Sequence, residues 1–315
     1  MKLGIHLGNN GSSATADSLA TLAARAEALG FDSVWTSDHV VIPSSIAGEH
    51  PYGRPGVYDP ADLQNYWEAF SVLAFVAGMT KRVELGVTVI VVPQREPLLF
   101  AKQWATLDQL SGGRTILGVG VGWNREEFEA LSAGDRFDRR GAATYEAIRL
   151  WRAVWRTEGD ISFEGDVYRF APIRFLPKPA RPSGPPIWVG GSARPSIRRA
   201  AQYGDNWHPI RASVDDLKAG RAQLDEQLAR FGRKPEDVTV SMTVTAFPPG
   251  QQTEGSDRDY ILAGDPDASA AKLKRYAEAG VEHLVVNCTR GAPLSHMLDA
   301  YEYVAQVIRP RLDAR

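Results

Sequence analysis

The sequence predicts an α/β protein, a (β/α)8 TIM barrel forming one domain over residues 1–315, with insertions after its second and fourth strands. Three observations lead there. Residues 83–92 are a near-continuous β-branched run, the pattern of a strand covered on both faces. One helix joins them to a second apolar run at 115–121, and two parallel strands so joined require a right-handed crossover. The unit then recurs along the chain until eight strands, each followed by a helix, are counted.

Taken in order, residues 2–8 alternate into the first strand and end at Gly8-Asn9-Asn10-Gly11. The first helix starts near Asp17, a residue able to cap it, carries Leu19, Leu22, Ala23, Ala26 and Leu29 on one face, and stops at Gly30. The second strand is 32–39. Residues 40–64 then break the rhythm with proline, glycine and tyrosine. A loop of that length in a compact domain usually serves a site, so it is expected to be an active-site loop, with a surface excursion as the alternative. Residues 67–79 form the second helix. After the third strand, Pro93 ends the run and Pro97 sits where a first helical turn tolerates proline. Leu98, Ala101, Trp104 and Ala105 recur at helical spacing, and Gly112-Gly113 closes that helix.

The fourth strand runs into the glycine-rich 118–123. A longer helical region follows, with Tyr145, Ile148, Trp151 and Trp155 on one stripe. Residues 158–186 are an insertion, containing a hairpin at 163–175 and a proline-rich return. Strands at 187–189, 206–210, 238–247 and 283–288 complete the count, with helices at 195–203, 214–231, 268–279 and 294–308. A doubly wound open sheet is the other reading, but the first strand lacks the Gly-x-Gly-x-x-Gly turn that would support it.

Composition excludes several classes. The charge is nearly balanced, 36 basic against 38 acidic residues, with no basic run for nucleic acid. The single cysteine, Cys288, excludes an internal disulfide and reads as a small buried hydrophobe. Met1-Lys2-Leu3 leads straight into a strand rather than a leader, and no apolar run approaches the roughly 20 residues of a membrane helix. A cytoplasmic protein with neither membrane nor nucleic-acid partners is the expectation.

Active sites of such barrels lie at the C-terminal strand ends. There the chain shows no carboxylate pair, no HExxH, no Gly-x-Ser-x-Gly elbow and no Walker loop. His39 and His208 with Asp38 make only a sparse metal set, so no metal is expected. The exits are glycine-rich, aromatic and hydroxyl-bearing, which suits a large flat cofactor carrying a phosphate. Gly190-Gly191-Ser192-Ala193 lies between a strand and a helix, where backbone can approach an anion and free N–H groups can hold it. Arg194, Arg198 and Arg199 follow, and a bound phosphate would account for at least one of them; a tight turn with solvated arginines is the alternative. Asp38-His39 is an adjacent acid–imidazole pair at a strand exit, either a proton-transfer pair or a loop cap over a packed ring.

Four segments, read together and in order, resemble the luciferase-like family of flavin- and coenzyme F420-dependent oxidoreductases, most closely its actinobacterial F420-type branch. They are Ser37-Asp38-His39, residues 85–89, residues 99–128, and Gly190-Gly191-Ser192 through Arg198-Arg199-Ala200-Ala201 to Gly204-Asp205-Asn206-Trp207. The resemblance implies the same barrel and a non-proline cis peptide at Thr88-Val89 backing a tricyclic ring. It places Asp38 and His39 beside the ring's reactive edge, Gly122 and Asn124 along the ring or its side chain, and Gly190, Gly191, Ser192 and Ala193 on the cofactor phosphate. Trp207 is expected among the cofactor contacts and, with Trp123, Tyr58 and Trp67, in an aromatic substrate wall. The implied activity is hydride transfer between F420 and a small organic substrate, with His39 as the proton route. The alternatives are an FMN-dependent two-component monooxygenase with a separate reductase, or a non-catalytic flavin-binding relative; relatives are often homodimers. Three positions depart from the pattern. Trp123 stands where relatives acting on glucose 6-phosphate have a glutamate, Val121 lies near where bacterial luciferase has a flavin-phosphate arginine, and Glu96 replaces a histidine.

Overall fold

The computed structural model describes residues 1–46, 65–251, 253–288 and 291–313. Eight strands form a closed parallel barrel: β1 (Lys2–His6), β2 (Ser33–Thr36), β3 (Glu84–Val91), β4 (Thr115–Gly120), β5 (Ile187–Gly190), β6 (Asn206–His208), β7 (Thr239–Ala246) and β8 (Val281–Asn287). Each pairs with the next, and β8 returns to β1 with Leu3 opposite Leu284 and Ile5 opposite Val286. The fold is the one the strand count predicts. Outward-facing residues such as Leu3, Ile5, Val34, Leu85 and Val87 are at most 2 % exposed because helices cover them.

Helix α1 (Ala16–Ala28) is capped by Thr15 rather than Asp17. The Thr15 hydroxyl accepts the Ser18 amide at 3.1 Å while Ser18 Oγ accepts the Thr15 amide at 2.9 Å. This reciprocal pair satisfies two terminal donors, and Asp17 sits in the first turn, where its charge favours the helix dipole. Helix α2 (Ala69–Met79) precedes β3, and α3 (Pro97–Leu110) follows it. Glu96 caps α3 by accepting the Leu98 and Leu99 amides, which gives the residue replacing a histidine a structural role.

The long helical region resolves into α4 (Arg125–Ala130), α5 (Gly134–Phe137) and α6 (Arg140–Arg156). Ile148, Trp151 and Trp155 are buried as their spacing predicts, and the two indoles donate to Pro97 O at 2.8 Å and Ala101 O at 3.1 Å, pinning α6 to α3. The inserted hairpin pairs Asp160–Glu164 with Arg169–Arg174, so it begins before residue 163. Glu146 of α6 gathers its turn by accepting the amides of Asp166, Val167 and Tyr168 at 2.9–3.0 Å. Helices α7 (Arg194–Tyr203), α8 (Val214–Arg230) and α9 (Pro266–Glu278) complete the ring. The last expected helix is instead α10 (Leu294–Tyr303), a π-helical segment and α11 (Arg309–Asp313). One unexpected short strand, Ile261–Leu262, pairs with the end of β7.

Residues 40–46 of the expected active-site loop are irregular, and its remainder, with Tyr58, lies outside the described residues. No helix among the described residues is long and apolar enough to cross a membrane. Cys288 is buried and its thiol is pushed up to about 12 by that burial, as expected of an inert packing residue.

Candidate active site at the barrel mouth

The centre of the site is set by β3. Its Thr88–Val89 peptide is cis, as the resemblance implied. Pairing with β4 slips at the same place: Val87 faces Leu117 and Ile90 faces Val119, so three steps on β3 match two on β4. The extra residue makes a bulge that turns both Thr88 and Val89 into the barrel. Thr88 Oγ1 lies 3.0 Å from His208 Nε2, and the Val89 methyls rest on bare backbone. A Cβ on Gly120 would meet Val89 Cγ2 at 2.4 Å, one on Gly190 would meet Cγ1 at 2.8 Å, and one on Gly118 would strike the Val87 carbonyl oxygen at 2.0 Å. The glycine-rich ending of β4 thus seats the β3 bulge.

Beneath the bulge the barrel is sealed. Trp35, Ile116, Trp188 and Val285 form a floor no more than 7 % exposed, with the two indoles 4.7 Å apart. His208 and His283 are embedded there, 2.8 Å from Ser241 Oγ and 2.7 Å from Ser33 Oγ. Burial pushes His208 down to about 4 and His283 to about 3, so both are neutral at neutral pH. Above the floor the lining changes: Thr88, Val89, Gly120, Thr243, Thr245 and Asn287 are half-buried. An inward strand residue in a closed barrel meets solvent only through an open end. The mouth is therefore open, and small or polar side chains line it.

At the rim stands His39, 8 % exposed, with Nδ1 2.9 Å from Glu127 Oε2. Glu127 is 1 % exposed and also accepts the Val40 amide at 2.8 Å. Burial raises its carboxyl, but the His39 ring and the Val40 amide outweigh that and hold it below the usual carboxylate range. An ionised carboxylate only accepts, so the proton between them belongs to Nδ1 and the ring is fixed in orientation. Asn124 caps α4 and accepts the Glu127 amide at 3.2 Å. It is 2 % exposed and acts on the rim through Glu127. The imidazole is flanked edge-on by Tyr66 at 5.3 Å and Trp123 at 6.5 Å between ring centres.

Asp38 does not partner His39. Its buried carboxylate holds Arg95 with two bonds of 2.8 and 2.7 Å and accepts the Val91 amide at 2.8 Å. Arg95 is itself largely buried, and a guanidinium taken out of water needs such a partner. Burial alone would lower the Arg95 pKa, yet the Asp38 charge keeps it raised. Asp38 therefore ties the β2 exit to the end of β3. Asn9 fixes the neighbouring backbone, donating to Ser37 O and Trp67 O at 2.8 Å each and accepting the Ser37 amide at 3.0 Å. Ser37 Oγ in turn pairs with the Tyr66 hydroxyl. The Trp67 indole donates to Ala14 O at 3.0 Å, which lays it against the entry to α1.

On the opposite rim, Gly191 adopts φ 105°, a conformation that favours glycine, and Ser192 and Ala193 are exposed. Helix α7 begins there without a side-chain cap; Pro195 has no N–H and Ser196 donates to Ala193 O at 2.8 Å, so the Arg194 amide and the turn before it are what an anion could meet. Gly122, at φ 78°, turns the chain from β4 toward α4, where a Cβ would collide with Val91 and Phe128. Trp207 does not join the substrate wall. It is 1 % exposed, faces outward from the barrel onto Gly220, and donates to Gly191 O at 2.9 Å, bracing the glycine turn from behind. Arg198 lies over Phe231 and Arg199 over Tyr145, which leaves Arg194 exposed at the first position of α7. His39 and His208 do not come together, and among the described residues no group of three or more His, Cys, Asp or Glu is placed to hold a metal.

The luciferase-like monooxygenase family matches residues 1–257. The chain belongs to that family. Among its relatives, an F420-dependent glucose-6-phosphate dehydrogenase of Intrasporangium calvum is 29 % identical over 320 residues, covering 88 % of this chain and 90 % of that one. The phthiodiolone/phenolphthiodiolone dimycocerosates ketoreductase of Mycobacterium tuberculosis is 35 % identical over 266 residues, covering 82 % and 68 %. The luciferase-like fold is shared with an F420-dependent secondary alcohol dehydrogenase solved with an F420–acetone adduct, at TM-score 0.78, 20 % identity and 99 % and 98 % coverage. It is shared too with the FMN-bound oxygenating constituent of 3,6-diketocamphane monooxygenase from Pseudomonas putida, at TM-score 0.78, 16 % identity and the same coverage.

Within this luciferase-like site, sequence reasoning misses Glu127, Arg95, Tyr66 and the bracing role of Asn9. Glu127 lies inside the resembling block 99–128, but an acid in a first helical turn is already explained by the helix dipole. Tyr66 and Arg95 have no periodic signal, since each lies between regular elements and is placed by long-range contacts.

Proposed function

We propose that this protein is an F420-dependent oxidoreductase that moves a hydride between the deazaflavin and a small organic substrate at the barrel mouth. The observation that carries the reading is the half-exposed Thr88–Val89 bulge at the centre of an open mouth, with the His39–Glu127 pair on its rim. These residues fit such a group: small inner side chains leave room for a flat ring, and the turn after Gly191 offers a phosphate the exposed Ser192 hydroxyl and the Arg194 amide. Thr88 and Val89 would back the ring, and Gly190, Gly191, Ser192 and Ala193 would hold the phosphate. Bound there, F420 supplies the hydride chemistry at its C5.

The protein's own work is orientation and proton handling. Glu127 holds the His39 ring through Nδ1, and the proton passes to or from the substrate at Nε2. Asp38 and Arg95 keep the rim and the bulge in register. Trp123 and Tyr66 stand beside the imidazole as the aromatic wall, and with the loop of residues 40–64 they would exclude water. Trp123, in place of the glutamate of relatives acting on glucose 6-phosphate, supports an apolar organic substrate over a sugar phosphate. We also propose a cytoplasmic homodimer. The FMN-dependent monooxygenase reading would add a separate reductase as partner.

The test is turnover. Reduced F420 is mixed with the protein and a panel of ketones and other carbonyl compounds, and oxidised F420 with the corresponding alcohols, while deazaflavin absorbance is followed. Substrate-dependent oxidation or reduction of F420 supports the reading. A reaction only with reduced FMN and oxygen would replace it with the monooxygenase, and binding without redox change toward any partner would replace it with a non-catalytic role.

A further inference from the structure

Arg199 is 3 % exposed, yet among the described residues it donates no hydrogen bond and faces no carboxylate. Its guanidinium lies 4.7 Å from the ring centre of Tyr145 on α6. An aromatic face returns less than the desolvation of a guanidinium costs, and burial indeed lowers the Arg199 pKa despite Tyr145. A cation this buried, with no carboxylate beside it and its Nε enclosed without a partner, calls for an anion.

The surrounding fold prepares a place for one. Helix α6 begins one turn from Tyr145, at Arg140-Gly141, with no side-chain cap on its free N–H groups. A Cβ on Gly141 would lie 3.8 Å from Arg199 Nη2, so the guanidinium sits beside that first turn. Helical arginines lean toward their own N-terminus, and α7 also starts uncapped, with Arg194 exposed at its first position. The Arg199 guanidinium and the positive end of α6 therefore meet at one place, on the helix that follows the glycine turn.

We propose that Arg199 and the first turn of α6 form an oxyanion subsite that takes a phosphate or carboxylate group. The identity of its occupant rests on the F420 reading above: that cofactor carries a phosphodiester and glutamate carboxylates beyond its ring, and free inorganic phosphate is the other source. Arg199 supplies planar bidentate donors, and the α6 start supplies backbone N–H groups and dipole.

The test compares the wild-type protein with Arg199→Met, which keeps side-chain bulk without charge, and Arg199→Lys, which keeps charge without the fork. Thermal melting is measured with and without inorganic phosphate. Dissociation constants are measured by fluorescence for F420 and for its ring-and-ribityl fragment lacking phosphate and glutamates. Phosphate is expected to raise the wild-type melting temperature but not that of Arg199→Met. F420 is expected to bind Arg199→Met about tenfold or more weakly, the worth of one charge-assisted hydrogen bond, while the fragment binds both within about twofold. Arg199→Lys falls between, and serves alone if the methionine variant does not fold. A phosphate effect without an F420 effect upholds the subsite and assigns it to free phosphate. Equal weakening of F420 and fragment, or no change in either F420 or phosphate response, overturns the subsite. If F420 binds none of the proteins, the cofactor reading fails, and the phosphate response still decides Arg199.

Discussion

Nδ1 of His39 and Oε2 of Glu127 meet at 2.9 Å, although 88 residues separate them in the chain. The contact joins the β2 exit to the first turn of α4 and gives the rim imidazole a fixed face. A ring held this way by a buried carboxylate is suited to repeated proton exchange at its other nitrogen.

Removing either partner should therefore separate turnover from binding. His39→Ala is expected to lower kcat about a hundredfold, within the usual range for a lost acid–base group, with the F420 dissociation constant changed less than about threefold. Glu127→Gln keeps the shape and should cost about tenfold in kcat. Parallel steady-state kinetics and fluorescence titration measure both quantities, and an unchanged kcat in His39→Ala would remove it from the mechanism.

The β3 bulge depends on missing side chains. Gly120→Ala places a methyl 2.4 Å from Val89 Cγ2 and should cost about 1–3 kcal/mol, the usual cost of overpacking. Val89→Ala removes the obstructing methyls, so the double variant should be more stable than the sum of the two single losses. Urea unfolding of the four proteins forms the cycle, and strict additivity would mean that the two residues do not meet.

Asp38 is expected to matter for stability before chemistry. Asp38→Asn takes from the buried Arg95 guanidinium its nearer counter-charge, leaving it the more exposed Glu68 carboxylate at 3.6 Å, and should cost up to about 3 kcal/mol. Chemical denaturation should show that loss in the absence of any cofactor. A fully stable Asp38→Asn protein would contradict the structural assignment.

Acid sensitivity follows from the barrel floor. In the unfolded chain His208 titrates near its ordinary value of about 6.5, whereas in the native barrel burial pushes it down to about 4. Between those values the unfolded state binds the proton and the native state does not, so stability falls as pH drops through this window. The slope is about 1.4 kcal/mol per pH unit for this group, on the order of 3 kcal/mol in all. Because His283 titrates abnormally over the same window, His208→Gln should roughly halve the histidine contribution to the slope between about pH 6.5 and 4. His283, lowered to about 3, extends the same trend to more acid conditions. Denaturation midpoints across the window measure it.

The architecture is legible in the sequence because periodicity and punctuation are local. The β-branched run of β3, the proline at the start of α3 and the glycines at its end each report on nearby backbone. The site is only partly legible, because contacts distant in sequence decide it. Asp38 and His39 stand side by side in the chain yet choose Arg95 and Glu127, 57 and 88 residues away. Trp207 looks like a strand-exit aromatic, but strand alternation turns it outward onto Gly220. The glycines of β4 signal backbone approach, and what approaches at Gly118 and Gly120 is β3 itself. The cis Thr88–Val89 peptide is foreseen only through the resemblance, since nothing in the strand pattern marks it.

The most direct measurement of the central claim is fluorescence titration of the protein with F420, with FMN as competitor. One F420 per chain is expected to bind saturably and not to be displaced by excess FMN. Absence of F420 binding together with tight FMN binding would contradict that claim.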